Sequence, residues 1–177
     1  MDTLLGLELA PLSSFCEESI VDIIRDAYSL FPSIIERTDC FSLYKDISSD
    51  TSNIDGFVAS LDNIPIGVIV WQTQDDYATL LEFAVCTSYQ NKGYGSIMLV
   101  ETINLLSSLG IKKIKATAYQ RLLTASHLLD KHNFCFVSLS RLTDLSLGLG
   151  ALVNYLHIIG KKLPRPKKQR KKLNIFN

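Results

Sequence analysis

The sequence predicts a mixed α/β fold of the α+β type, with one central sheet, partly antiparallel and partly parallel, flanked by helices. Three observations carry this prediction. Apolar periodicity gives the element order β α α β β β α β α β β. Two consecutive strands near the middle are separated by a turn short enough for a hairpin, which makes them antiparallel. Later strands alternate with helices, as a crossover between parallel neighbours requires. Neither a run of βαβ units nor an all-β pattern accounts for this order, and a mixed sheet does.

Each element has its own signal. Thr3 to Leu9 is short and apolar-rich, a first strand. Ser14-Phe15-Cys16-Glu17 has the Ser-x-x-Glu spacing of a capping box and predicts a helix with Ile20, Ile23, Ile24, Ala27 and Tyr28 on one face. Pro32 ends it or begins the next piece, Ser33 to Ile47 reads as a second, shorter helix, and Ser48 to Asn53 as a loop. Gly56 to Leu61 and Ile66 to Gln72 are β-prone runs around a turn at Asp62-Asn63-Ile64-Pro65. A turn at Gln74-Asp75-Asp76 leads to a strand over Tyr77 to Cys86. The helix that opens at Gly93 spaces Ile97, Val100, Ile103 and Leu106 on one side and stops at Gly110. Lys112 to Ala118 alternates Ile114, Ala116 and Ala118 against polar residues, as a half-exposed strand does. Thr124 to His132 is a helix, and Phe134 to Leu139 and Val153 to Ile159 are the last strands.

Chemistry concentrates in Leu80 to Leu106. An apolar strand holding one charge, Glu82, runs into a polar loop, and Gly93-Tyr94-Gly95 then opens a helix. The first N–H groups of a helix lack internal partners, and glycines let an anion approach them, so this arrangement suits a phosphate or pyrophosphate. The dinucleotide fingerprint fails because Met98 stands where its third glycine belongs. The Walker loop fails because Ser96-Ile97 follows Gly95.

Gln90-Asn91-Lys92-Gly93-Tyr94-Gly95, preceded by Phe83-Ala84-Val85, resembles the acetyl-CoA loop of the GNAT N-acetyltransferase superfamily. The resemblance extends over about residues 3 to 160. A second family segment, Asn-x-x-Ala-x-x-Leu-Tyr-x-Lys-x-Gly-Phe, is met by Ala125, Leu128, Lys131 and Phe134, with Leu122, Leu129 and Asn133 as departures. The resemblance implies a GNAT-like domain over residues 1–160 that moves an acetyl group from acetyl-CoA to an amine. It implies a pyrophosphate held by N–H groups from Gln90, Asn91, Lys92, Gly93, Tyr94, Gly95 and Ser96. It also implies a strand that splays near Val85 and Cys86 to pair with the pantetheine arm, with an N–H near Val85 polarising the thioester carbonyl.

A lysine-like ammonium has a pKa of ~10.4, so the acceptor amine needs a base. Glu82, the sole charge of its strand, is the candidate, because burial lifts a carboxyl toward the useful range. The family's acid for the leaving thiolate is a Tyr where this chain has Leu129. Tyr119 is the weaker substitute, with His127, His132 and Tyr155 nearby in sequence or expected layout. The rival reading is a GNAT-fold module that binds coenzyme A without catalysis. The acceptor is left open among small amines, peptide N-termini, protein lysines and aminoacyl-tRNA.

The four cysteines, Cys16, Cys40, Cys86 and Cys135, have no zinc-site spacing, and the expectation is reduced thiols in a cytoplasmic protein, or a nuclear one if the chain is eukaryotic, without bound metal. A secretory signal and a membrane helix are not expected. The formal charge of zero hides an asymmetry. All 18 acidic residues precede position 145, whereas eight of the 18 basic ones fall in Lys161–Lys172. That segment, with two prolines, reads as a basic, disordered tail over residues 161–177, suited to RNA or another polyanion.

Overall fold

The computed structural model describes residues 6–30, 53–119, 122–140 and 152–161. Ten regular elements follow in order: β1 (Leu7–Pro11), α1 (Glu17–Ala27), β2 (Ile54–Leu61), β3 (Ile64–Gln74), β4 (Tyr77–Val85), α2 (Tyr94–Ser108), β5 (Lys113–Tyr119), α3 (Leu123–Lys131), β6 (Cys135–Ser140) and β7 (Leu152–Ile158). The predicted helix over Ser33–Ile47 and nearly all of the basic tail lie outside the described residues.

The strands form one seven-stranded sheet in the order β1-β2-β3-β4-β5-β7-β6. Every pairing is antiparallel except β4 with β5, which is parallel. The partly antiparallel, partly parallel sheet expected from the element order is therefore present. β2 and β3 are joined at Asp62 and Asn63, whose φ values of 50° and 63° are those of a two-residue hairpin turn. The turn is shorter than predicted, because Ile64 and Pro65 already belong to β3.

Two apolar layers cover the sheet. On one face Ile20, Val21, Ile23 and Ile24 of α1 pack on Val58, Val68, Val70 and Ala84. On the other, Met98, Leu99 and Leu106 of α2 and Leu129 of α3 pack on Ile66, Ile69, Trp71, Ala78, Ile114 and Ala116. Gly67 lets α2 come this close, since a Cβ there would sit 3.0 Å from Met98 Sδ and 3.1 Å from the Ala84 carbonyl oxygen.

Two sequence expectations are corrected. Ser14 does not cap α1: it ends a short 3-10 turn over Leu12–Ser14, and the helix starts at Glu17 with Cys16 as N-cap and no side-chain capping bond. Burying Leu12 uses that extra turn, and Glu17 and Glu18 instead complement the helix dipole. The buried stripe of α2 is Tyr94, Met98, Leu99, Thr102 and Leu106, not the row containing Val100, which is exposed. Thr102 hides its polarity by donating its hydroxyl to the Met98 carbonyl at 2.9 Å. The expected stop at Gly110 holds: φ is 84°, and the Ile111 and Gly110 N–H groups bond back to Leu106 and Ser107.

β2 meets β3 with no room for a side chain at Gly56, where an added Cβ would lie 2.5 Å from the Ile69 carbonyl oxygen. Gly56→Ala is therefore expected to force the ladder apart and cost about 1–3 kcal/mol. Urea denaturation checks this, and an unchanged midpoint would contradict it.

Candidate active site

The site is made by a strand that loses its partner. β4 and β5 pair only over Tyr77–Lys113, Ala78–Ile114 and Thr79–Lys115. Beyond those residues they diverge, and a cavity of about 690 Å³ opens between Leu80–Val85 and Ala116–Tyr119, closed at its far end by the glycine loop and α3. The divergence begins well before Val85 and Cys86, where the family resemblance implied the splay.

The ladder on the other side of β4 fixes what faces this gap. Cys86 N–H bonds the Ile66 carbonyl at 2.8 Å, and Val85 stands opposite Gly67. In an antiparallel pair the bonded and non-bonded residues alternate. Phe83 and Val85 therefore turn their N–H and C=O groups away from β3, into the gap. Two of the four groups are taken by side chains, and a third shares a proton with Glu82. Phe83 N–H donates to Glu82 Oε1 at 3.0 Å, Tyr28 O–H reaches the Phe83 carbonyl at 3.4 Å, and Gln90 Nε2 donates to the Val85 carbonyl at 2.8 Å. The Val85 N–H is the fourth, and it has no partner among the described residues.

Glu82 owes its placement to a bulge. Val70 pairs with Glu82 and Trp71 with Leu80, so Leu81 is an extra residue. Strict alternation would put Glu82 on the same face as Ala78 and Leu80. The bulge moves it and Ala84 to the α1 face, where Tyr28 follows the helix end. Glu82 is 8% exposed, and Tyr28 O–H donates to its Oε1 at 3.0 Å. Burial pushes its carboxyl above the usual range, and the hydrogen bonds from Tyr28 and from the Phe83 N–H pull partly the other way. Both bonds land on Oε1, so Oε2 accepts none among the described residues.

The loop turns tightly from β4 into α2. Asn91 and Gly93 have φ of 59° and 93°, and Gly93 is the N-cap, with no side chain capping the helix. The early N–H groups of α2 are thus left to an incoming anion. Gly93, Gly95, Ser96, Gln90 and Asn91 line the cavity. Other expected loop contacts are differently employed. The Gln90 N–H is held by the Thr87 carbonyl, and its amide is a strut to β4. Lys92 Nζ lies over the Tyr89 ring, 5.5 Å from its centre, and Tyr94 packs its ring in the core. Cys86 stands outside the cavity lining, and burial together with the nearby Asp26 carboxylate pushes its thiol up to about 11, so it is no nucleophile at neutral pH. The loop is tied to the end of α1 by Asp26, which accepts the Thr87 N–H at 2.6 Å.

Of the acid candidates, Tyr119 and His127 line the cavity, whereas Tyr155 is in the core. Leu129 is 5% exposed and packed in the core, so no proton donor stands at its position. Asn133 takes φ 62°, doing the backbone work of the glycine it replaces. Sequence reasoning missed Tyr28, Asp26 and the pair formed by Ser96 and His132, whose Oγ and Nε2 are 2.5 Å apart. Nothing local in the sequence links these residues, which are brought together only by the tertiary fold.

The two loop glycines answer differently to substitution. Gly93 sits in the left-handed region, which costs an L-residue about 1–2 kcal/mol. A Cβ on Gly95 would meet Leu128, Phe83 and Val85 at ordinary distances of 3.6–3.7 Å. Gly93→Ala should therefore weaken acetyl-CoA binding severalfold, whereas Gly95→Ala should be tolerated, as titration calorimetry can check. Equal effects at the two positions would contradict this account of the loop.

The Acetyltransferase (GNAT) family model matches residues 18–134. No curated protein matches the chain by sequence. Among solved structures, the ribosomal-protein-S18-alanine N-acetyltransferase of Escherichia coli superposes with a TM-score of 0.74 at 16% identity, covering 91% of this chain and 99% of that one. PaiA N-acetyltransferase of Thermoplasma acidophilum, in complex with coenzyme A, gives 0.68 at 19% identity, with 85% and 98% covered. A GNAT acetyltransferase of Elizabethkingia anophelis with acetyl-CoA bound gives 0.68 at 13% identity, with 88% and 99% covered. The divergent β4, the uncapped start of α2 and the match across two thirds of its length lead to one conclusion: this chain belongs to the GNAT family of acetyl-CoA-dependent acetyltransferases.

Proposed function

We propose that this protein acetylates an amine by direct transfer, with Glu82 as general base, the Val85 N–H as oxyanion donor and the start of α2 as the pyrophosphate cradle. The observation that carries the reading is the joint exposure to one cavity of a strand N–H and a buried carboxylate oxygen that are both without a partner among the described residues. The cradle fits the cofactor, because Gly93 turns the loop and no side chain occupies the helix N-terminus. Bound acetyl-CoA supplies the activated acyl group as a thioester. Glu82 Oε2 takes the ammonium proton, Tyr28 holds Oε1 still, and the Val85 N–H stabilises charge on a carbonyl oxygen entering the gap. Tyr119, at the cavity wall, is the proton donor to the departing thiolate. Its contribution is modest, since thiols already ionise near ~8.5.

Glu82 works only when ionised, so activity falls as pH drops through its raised pKa. Glu82→Gln should lower kcat/KM by about 10²–10⁴-fold with acetyl-CoA affinity retained. Tyr28→Phe removes a bond that favours the carboxylate, so the acidic limb should move to higher pH. Thiol release across a pH series, with small amines, a lysine peptide, aminoacyl-tRNA and a peptide beginning with alanine as acceptors, measures both. An acidic limb unmoved in Tyr28→Phe would return Glu82 to a structural role.

The enzyme is proposed to act in the cytosol, in keeping with the free thiols of Cys16, Cys86 and Cys135. Lys161–Lys172 is its polyanion arm, with RNA as the intended partner on grounds of charge density. Ile159 N–H bonds the Lys112 carbonyl and Lys161 N–H bonds that of Ile158, so truncation must follow Lys161. Removing residues 162–177 should abolish salt-sensitive retention on RNA or heparin and leave acetyl-CoA affinity unchanged. Equal retention of both forms would refute the arm.

A further inference from the structure

Ser96 is the third residue of α2 and lines the cavity beside Gly93 and Gly95. Its hydroxyl lies 2.5 Å from Nε2 of His132, the C-cap of α3. We infer that His132 is a positioning residue for the cofactor, aiming the Ser96 hydroxyl proton at a phosphate, so that coenzyme A binds more tightly when the imidazole is protonated. The inference rests on the acetyl-CoA reading of this loop.

A hydroxyl has one proton and two lone pairs. Where Nε2 is bare, Ser96 donates to it and shows only lone pairs to the cavity, which repel a phosphate. Where Nε2 carries hydrogen, it donates to Ser96 Oγ and the hydroxyl proton is free to turn toward the anion. A neutral ring reaches that state in one of its two tautomers. An imidazolium is always in it, and adds a full positive charge.

The surroundings disfavour the charged form of the free ring. Burial, Lys131 on the same helix and His157 on β7 all lower the pKa of His132. α2 adds the positive end of its dipole. Lys92 of the loop is drawn over the Tyr89 ring. An arriving diphosphate offsets each of these, so His132 takes up a proton as the anion binds. The pKa of the bound form then exceeds that of the free form. Affinity is highest below the free value, weakens as pH rises between the two, and is flat above the bound value.

The probe is dephospho-coenzyme A, because the 3′-phosphate of the full cofactor would titrate near ~6 and mask the effect. Calorimetry between about pH 5.5 and 8 should show wild-type protein binding roughly three- to tenfold more tightly at the acid end. His132→Gln keeps an N–H donor without a titrating charge and should flatten this dependence. NMR of the wild-type imidazoles should show the His132 pKa moving up on binding, which a purely structural role would not produce. The same slope in His132→Gln, or an unmoved His132 titration, would overturn the inference. Wild-type binding that is independent of pH would overturn it alone. Failure of the wild type to bind at any pH would overturn the acetyl-CoA reading as well.

Discussion

Everything in this site follows from the separation of β4 from β5 after Thr79 and Lys115. A central strand normally spends its N–H and C=O groups on two neighbours. Here β4 keeps its ladder with β3 and gives up the other, which exposes the backbone of Phe83 and Val85 to a gap. A buried polar group without a partner costs about 1–3 kcal/mol, so such a gap is stable only if most of its groups are satisfied. Glu82 and Gln90 satisfy two of them, and Tyr28 shares its one proton between the Phe83 carbonyl and Glu82. The same side chains thereby become fixed relative to β4. Closing the energetic deficit and building the site are one act of folding, and the Val85 N–H is what remains without a partner among the described residues.

The anchoring then spreads outward from that strand. Gln90 fixes the loop by reaching back to Val85 and toward the Ala27 carbonyl at 3.4 Å. Asp26 holds the loop from the other side through Thr87. The end of α1 is thus joined both to the cofactor loop and, through Tyr28, to Glu82. A shift of α1 would be felt at both sites, which gives the acceptor side and the cofactor side a common mechanical support.

The fold was legible because its signals are local. Alternation in β5, the glycines at 93 and 110, and the apolar α1 face each depend on neighbours within a few residues. Glu82 was legible as a lone charge in an apolar run. Its face was not, because the bulge at Leu81 depends on register with β3, and no residue at that point demands one. The α2 stripe was misread because apolar residues occur around much of that helix, and a nearly uniform surface does not say which side will be buried. Gln90 was read as a cofactor contact through its N–H, and the family motif does not record that the Thr87 carbonyl holds this N–H while the side chain braces β4. Tyr28, Asp26 and His132 act across gaps of 54, 61 and 36 residues, beyond any periodicity.

The order of functions along β4 is itself a consequence of strand geometry. At ~3.3 Å per residue, Glu82 and Val85 are about 10 Å apart along the strand, and the loop begins just beyond. The proposed base, oxyanion donor and anion cradle thus succeed one another along a single line. The charge requirements of the two ends conflict: an anion cradle wants positive potential, and a base must be held where its charge is disfavoured. The chain separates them by distance and by face. Glu82 sits on the α1 side, desolvated and held by a phenol and an amide. The uncapped α2 terminus and Ser96 lie at the other end of the cavity, with His132 behind Ser96 at the C-cap of α3. Had Leu81 not been bulged, Glu82 would face the α2 layer with its apolar core, without Tyr28 to hold it.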